Sequence, residues 1–176
     1  ALERSTVTSC NRVLHQLILL YACRPSEMRL ALADEFNMAQ RTWTVPAGHS
    51  KMGNIIRRPI FEQVKPYLER LLGMDNTVLF PGQHLDKPLD SSSASLYMRK
   101  LRKEIGIPHW RLHDLRRSLT INLVGEGIMP HVTETMLGHE MTGVMAVYNR
   151  RDWLVEQKAA YELYADKIFW HVKQLS

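Results

Sequence analysis

The sequence predicts a mainly α-helical domain that carries one small antiparallel β-hairpin. Three observations lead there. Helical stretches cover residues 8–22, 61–72, 94–105, 113–125, 132–137 and 153–170, most of them marked by apolar side chains at helical spacing. One pair of stretches, 41–45 and 55–60, alternates in the manner of strands. Proline, glycine and serine fall between the helical stretches, where the chain has to turn.

A chain of 176 residues is long enough to bury a core as one domain, and residues 1–176 are read as a single unit. Its 45% hydrophobic and 23% charged content is ordinary for a globular protein. Lys+Arg 23 against Asp+Glu 18 gives a net charge of +5, which suits a polyanionic partner. Two cysteines, Cys10 and Cys23, are too few to staple a domain of this size, so a reducing cytosolic setting is expected. The longest apolar run, 17–23, falls far short of a membrane span, and the start of the chain has no secretory pattern. The first residue is Ala1 and not Met, so a piece of a longer protein is expected.

In the first helix, 8–22, Val13, Leu14, Leu17, Ile18 and Tyr21 share a face, and Thr8 or Ser9 can cap it. Pro25 breaks the chain after Arg24, and Ser26 can cap the next helix. Arg24 thus sits at a junction from which a guanidinium can enter a cleft; the plainer reading is an exposed arginine paired with Glu27. The strands 41–45 and 55–60 enclose a turn-rich segment, 46–54, with Lys51 near the hairpin tip and His49 beside it. Residues 61–72 read as a short amphipathic helix and 73–93 as loop. Ser91, Ser92 and Ser93 are expected to cap the helix 94–105, which Gly106 ends. That helix carries Arg99, Lys100, Arg102 and Lys103, either a solvated face or a track along a nucleic-acid backbone.

The stretch from 110 to 148 carries the chemistry. His113 and Arg116, three residues apart in the first turn of the helix 113–125, lie on one face at its positive end. Leu115, Leu119, Ile121, Leu123 and Val124 are read as its core side. Arg117 is read as a neighbour making structural or DNA contacts. Gly138 closes the helix 132–137 and turns His139 towards a cleft. A segment 144–149 then brings Tyr148, whose phenol needs help because its ordinary pKa lies near 10. Arginines that hold a phosphate beside it would stabilise both the phenolate and the transition state. In the tail helix, 153–170, apolar residues exceed one stripe, so burial on several sides is expected.

His113-Asp-Leu-Arg-Arg, then Leu137-Gly138-His139, then a tyrosine nine residues further on resemble the active-site boxes of the tyrosine recombinases, and more narrowly of bacterial phage and genomic-island integrases. Arg24 followed by Glu27 resembles the family's first box, and Ser50-Lys51-Met52 before a basic strand resembles its lysine hairpin. The resemblance covers nearly the whole chain. It implies the mainly helical catalytic core of that family and a site-specific recombinase that cuts and rejoins DNA through a 3′-phosphotyrosine. Tyr148 would be the nucleophile, Arg24 and Arg116 the phosphate clamp, and Lys51 the acid towards the 5′-oxygen. His113 would be the acid/base partner of the tyrosine, and His139 a hydrogen-bond donor to the phosphate. His49, Arg99, Lys100, Arg102, Lys103 and Arg117 would contact DNA.

The implied chemistry needs no cofactor and no metal, and the sequence has no HExxH, no paired CxxC and no glycine-rich phosphate loop. The implied partners are double-stranded DNA at attachment sites, a homo-tetramer assembled on it, and an excisionase or a DNA-bending host factor. The implied setting is the bacterial cytoplasm, at the nucleoid. Core-binding and arm-binding domains would precede this chain in a complete integrase. The tail 153–176 would pack either on its own domain or, in trans, on a neighbouring protomer. A chromosome-dimer-resolving recombinase, a type IB topoisomerase and a catalytically dead DNA-binding module are the alternatives. The Leu-Gly-His box disfavours the topoisomerase, and a full residue set disfavours the dead module.

Overall fold

The computed structural model describes residues 9–106, 110–139 and 151–174. Among the described residues, seven α-helices and a three-stranded sheet follow in the order α1 (Ser9–Tyr21), α2 (Pro25–Arg29), β1 (Phe36–Asn37), β2 (Thr42–Val45), β3 (Ile56–Pro59), α3 (Lys65–Leu72), α4 (Ser91–Ile105), α5 (Leu112–Gly125), α6 (Pro130–Met136) and α7 (Leu154–Gln174). The expected hairpin is β2–β3, antiparallel with Trp43 opposite Arg58 and Val45 opposite Ile56. Its Lys51 sits in the turn that links Gly53 N–H to the Ser50 carbonyl (3.3 Å). A third strand, β1, pairs Phe36 with Trp43. Two residues are too few to show a strand period, so it was not legible in the sequence.

Several boundaries shift for physical reasons. α3 starts at Lys65 and not at 61, because Phe61 and Val64 are fully buried by a turn and Pro66 suits a first helical turn. α4 starts at Ser91, so the serines do not cap it. Asp90 does, its carboxylate accepting from Ser92 N–H at 2.7 Å. Ionised, this oxygen is a stronger acceptor than a hydroxyl, and it satisfies a free N–H of the first turn. The hydrogen bond, with Arg29 nearby, holds the Asp90 carboxyl below its usual range.

The core gathers around α1, where Leu14, Leu17, Ile18 and Tyr21 are buried. The Tyr21 ring meets Trp43, Phe61 and Tyr161 edge-on at 5.1, 5.2 and 5.4 Å. α5 buries Leu119 and Leu123 but leaves Ile121 and Val124 in solvent, against expectation. Only one stripe of that helix faces α6 and α7.

The tail helix also differs from its expectation of burial on several sides. It buries Gln157, Ala160, Tyr161, Tyr164 and Ala165, a single stripe at i, i+3, i+4, i+7 and i+8, while Val155 and Trp170 are exposed. That stripe packs on β3, α6, α1 and α5 of its own domain. Among the described residues, no helix is long and apolar enough to cross a membrane.

Candidate active site

α1 ends at Tyr21, and the chain turns through Ala22 at a φ of 45° before Arg24 opens α2. An arginine has no acceptor with which to cap a helix, so only the return half of a capping box forms. Glu27 accepts the Arg24 backbone N–H at 3.2 Å. The same fully buried carboxylate binds the Arg24 Nη1 at 3.1 Å and the Arg58 Nη2 at 2.8 Å. The ion pair with Glu27 therefore exists, but Arg24 is not a surface arginine: its side chain is 18% exposed.

Arg58, on β3, is the site residue that sequence reading missed. It shares a strand face with Ile56, two residues back, and that period was the available signal. Both are buried, and the Arg58 guanidinium lies 5.1 Å from the centre of the Trp43 ring. Burial alone would lower its pKa, but the Glu27 carboxylate more than offsets this, so the net shift is upward. Its Nε donates to the Met136 carbonyl at 3.0 Å, which also accepts from the Tyr161 hydroxyl at 3.2 Å.

Arg116 arrives from α5 with 4% of its surface exposed. Its Nη1 donates to the Ala22 carbonyl (3.0 Å) and its Nη2 to the Leu137 carbonyl (2.6 Å), which also faces the Arg24 Nη1 at 3.5 Å. Three guanidinium groups thus gather on the last carbonyls of α6, the end where helix dipole and unpaired oxygens favour positive charge. Burial, and then the neighbouring Arg24, lower the pKa of Arg116. Burial likewise pushes the nearby Cys23 thiol up to about 12, so it stays neutral there.

Gly138, at a φ of +66°, turns the chain out of α6. A Cβ here would lie 2.4 Å from Ile56 Cδ1, so glycine is required by conformation and by space. His139 N–H then bonds the Glu134 carbonyl (3.0 Å) and Gly138 N–H the Thr135 carbonyl (2.9 Å), the Schellman pattern of a helix end. The His139 ring sits between Arg116 Nη2, 3.3 Å from Nε2, and Glu134 Oε2, 2.5 Å from Nδ1.

Of these groups, Arg116, Leu137 and His139 line a cleft of about 350 Å³ together with His113, Arg117 and Glu134. The structure therefore brings together Arg24, Arg116 and His139, with His113 and Arg117 at the rim. Lys51 is exposed on its hairpin turn, and among the described residues no contact joins it to this group. His49 Nδ1 faces Glu35 Oε1 at 2.8 Å, a contact that ties the hairpin turn to the segment before β1. Burial raises the Glu35 pKa, while bonds from Trp43 and Leu32 act against that rise. Tyr148, with the segment 144–149, lies outside the described residues. The described chain stops at His139 and resumes at Arg151, where Asp152 pairs with Arg57 (2.6 Å) and Trp153 packs on His131 (4.6 Å).

Arg99, Lys100 and Lys103 are exposed on α4, whereas the Arg102 guanidinium lies 5.7 Å from the Trp110 ring centre. Arg99 and Arg102 line a second hollow of about 420 Å³ together with Arg29 and Arg111. The last two were not singled out in the sequence, since neither belongs to a recognisable cluster. Among the described residues, no group of three or more His, Cys, Asp or Glu side chains is placed to hold a metal.

Comparison with known proteins bears on the family and the fold. Over 172 residues the chain is 29% identical to the prophage integrase IntZ of Escherichia coli (strain K12), covering 96% of this chain and 42% of that protein. The fold matches the integrase from mycobacterium phage Brujita with a TM-score of 0.71 at 16% identity, over 92% of this chain and 53% of that one. The chain thus spans about half the length, or less, of the proteins it matches. The model of the phage integrase family matches residues 1–153. With that match over most of its length, the chain belongs to the phage integrase family, whose members are the tyrosine recombinase enzymes.

Proposed function

We propose that this chain is the catalytic domain of a site-specific DNA integrase that inserts and excises a prophage or genomic island. The observation that carries the reading is the meeting of Arg24 and Arg116 on the Leu137 carbonyl, with the His139 ring 3.3 Å from Arg116. Guanidinium groups fixed in advance beside one another suit a phosphate whose charge grows in the transition state.

In this mechanism the Tyr148 oxygen attacks a DNA phosphorus and the phosphorus–5′-oxygen bond breaks. The phenol proton passes to His113, and the departing 5′-oxygen takes a proton from Lys51. Arg24 and Arg116 clamp the non-bridging oxygens, with His139 donating to one of them. A 5′-hydroxyl from a partner strand then reverses the reaction and rejoins the DNA. The described ends at His139 and at Asp152–Trp153 flank Tyr148 and are each tied to the body of the domain. Arg99, Lys100, Arg102, Lys103, Arg117 and His49 contact the DNA around the cleavage point. The whole protein acts as a tetramer on double-stranded attachment sites in the bacterial cytoplasm. An excisionase or bending factor, preceding DNA-binding domains, and tail exchange between protomers belong to the same reading.

The test is relaxation of supercoiled plasmid in EDTA by the wild type and by Tyr148→Phe. The expected result is relaxation and a covalent protein–DNA adduct with the wild type alone, at equal DNA affinity. Relaxation by both proteins would sink the tyrosine assignment. Inactivity of both would sink the reading that residues 1–176 suffice for cleavage.

A further inference from the structure

We propose that Glu134 is the positioning residue for His139, fixing which ring nitrogen faces the cleft. The proposal rests on the reading that His139 contacts the scissile phosphate.

The fold dictates the meeting of these two side chains. In a Schellman helix end the residue three before the cap and the second residue beyond it come together, and the contact between them is ordinarily apolar. Here Leu137 is the cap and Gly138 carries the positive φ. The two residues that meet are therefore Glu134 and His139, and they form an ion-pair contact of 2.5 Å. Neither residue predicts this alone. The pairing follows from the glycine between them.

The two partners of the ring agree on one tautomer. A guanidinium has no acceptor, so the 3.3 Å contact from Arg116 Nη2 makes Nε2 the accepting nitrogen. The hydrogen of a neutral ring must then sit on Nδ1, where the acceptor-only Glu134 carboxylate receives it. Among the described residues, the charged and titratable groups around the ring are Glu134 from α6, and Arg116, Arg117 and His113 from α5, with Arg24 before α2 behind Arg116. Among the described residues, Glu134 is the carboxylate that lines this cleft. When a phosphate oxygen replaces Arg116 as the partner of Nε2, that nitrogen takes up a proton from solvent hydronium, releasing water, and donates to it. The Glu134 carboxylate offsets the imidazolium charge, as an aspartate does for a catalytic histidine.

The test uses the chain labelled with ¹⁵N-histidine, as wild type, Glu134→Gln and Glu134→Ala. Two-bond ¹H–¹⁵N spectra read the tautomer of His139, assigned by its loss in His139→Ala. The expected result is an Nδ1–H ring in the wild type, a shift towards Nε2–H in Glu134→Gln, whose amide can donate to Nδ1, and a mixture of both tautomers in Glu134→Ala, where only the Arg116 contact remains. Plasmid relaxation should fall about 10–100-fold in Glu134→Gln, by analogy with the cost of losing the partner that orients a metal-ligating histidine. DNA affinity and melting temperature should be unchanged. In a His139→Ala background the same substitution should have no further effect. Three results would overturn the proposal: an Nε2–H ring in the wild type, full activity of Glu134→Gln, or an added loss in the His139→Ala background. If the wild type cleaves no plasmid, residues 1–176 do not suffice for cleavage, and the tautomer spectra alone decide the role of Glu134.

Discussion

Behind the cleft, Arg24, Arg58 and Arg116 are held by Glu27 and by three backbone carbonyls, those of Ala22, Met136 and Leu137. On α4, Arg99, Lys100 and Lys103 extend into water. Both regions are basic, yet they suit different work. The buried guanidinium groups lose their rotamer freedom on folding, so none has to be lost when a phosphate arrives. Their charge acts in a medium where salt screens little. The α4 side chains remain mobile and screened, which suits affinity for a polyanion but not transition-state geometry. Burial, not charge count, separates a clamp from a track.

The sharpest way to break that comparison is to remove Arg58. Arg58→Ala leaves the Glu27 carboxylate buried with one partner fewer and should lower unfolding stability by about 3–5 kcal/mol, read by urea denaturation. The paired change Arg58→Met with Glu27→Leu should cost far less stability but still impair cleavage, because Arg24 loses its anchor. A loss below about 1 kcal/mol in Arg58→Ala would show that the buried pair holds nothing in place.

Next in size is Arg116→Ala, which should lower plasmid cleavage by about 10²–10³-fold while DNA affinity changes little. A parallel loss of affinity would place Arg116 with the track and not with the clamp. The smallest effect belongs to α4. Arg99→Gln with Lys103→Gln should weaken DNA binding equally for all sequences and reduce the slope of log affinity against log salt by about one per charge removed. Cleavage at saturating DNA should be unchanged. A fall in saturated rate would mean that α4 also shapes the site.

Much of this was legible in the sequence. The spacing of Leu14, Leu17, Ile18 and Tyr21 marked α1, and the alternation about Lys51 marked the hairpin. The boxes around Arg24, His113, Arg116 and His139 named residues that the fold brings near one another, although they lie before α2, on α5 and after α6. What periodicity could not give were the features without a period. The two-residue β1, the Asp90 cap and the exposure of Ile121 and Val124 depend on what packs alongside.

Helix and strand periods and turn residues act over a few neighbours, so the sequence alone marked most of the elements and the side chains proposed for the chemistry. Only the tertiary structure decided how those side chains are held. Glu27 reads as a surface partner of Arg24, but packing on β3 makes it the shared counter-ion of two arginines. Arg58 reads as one more basic strand residue and becomes a fully buried strut. The acceptors that aim Arg116 are the carbonyls of Ala22 and Leu137. Every residue type carries the same carbonyl, so no sequence pattern marks one as an acceptor. It gains that role only where the folded chain leaves it unpaired beside a donor, as at the end of α6.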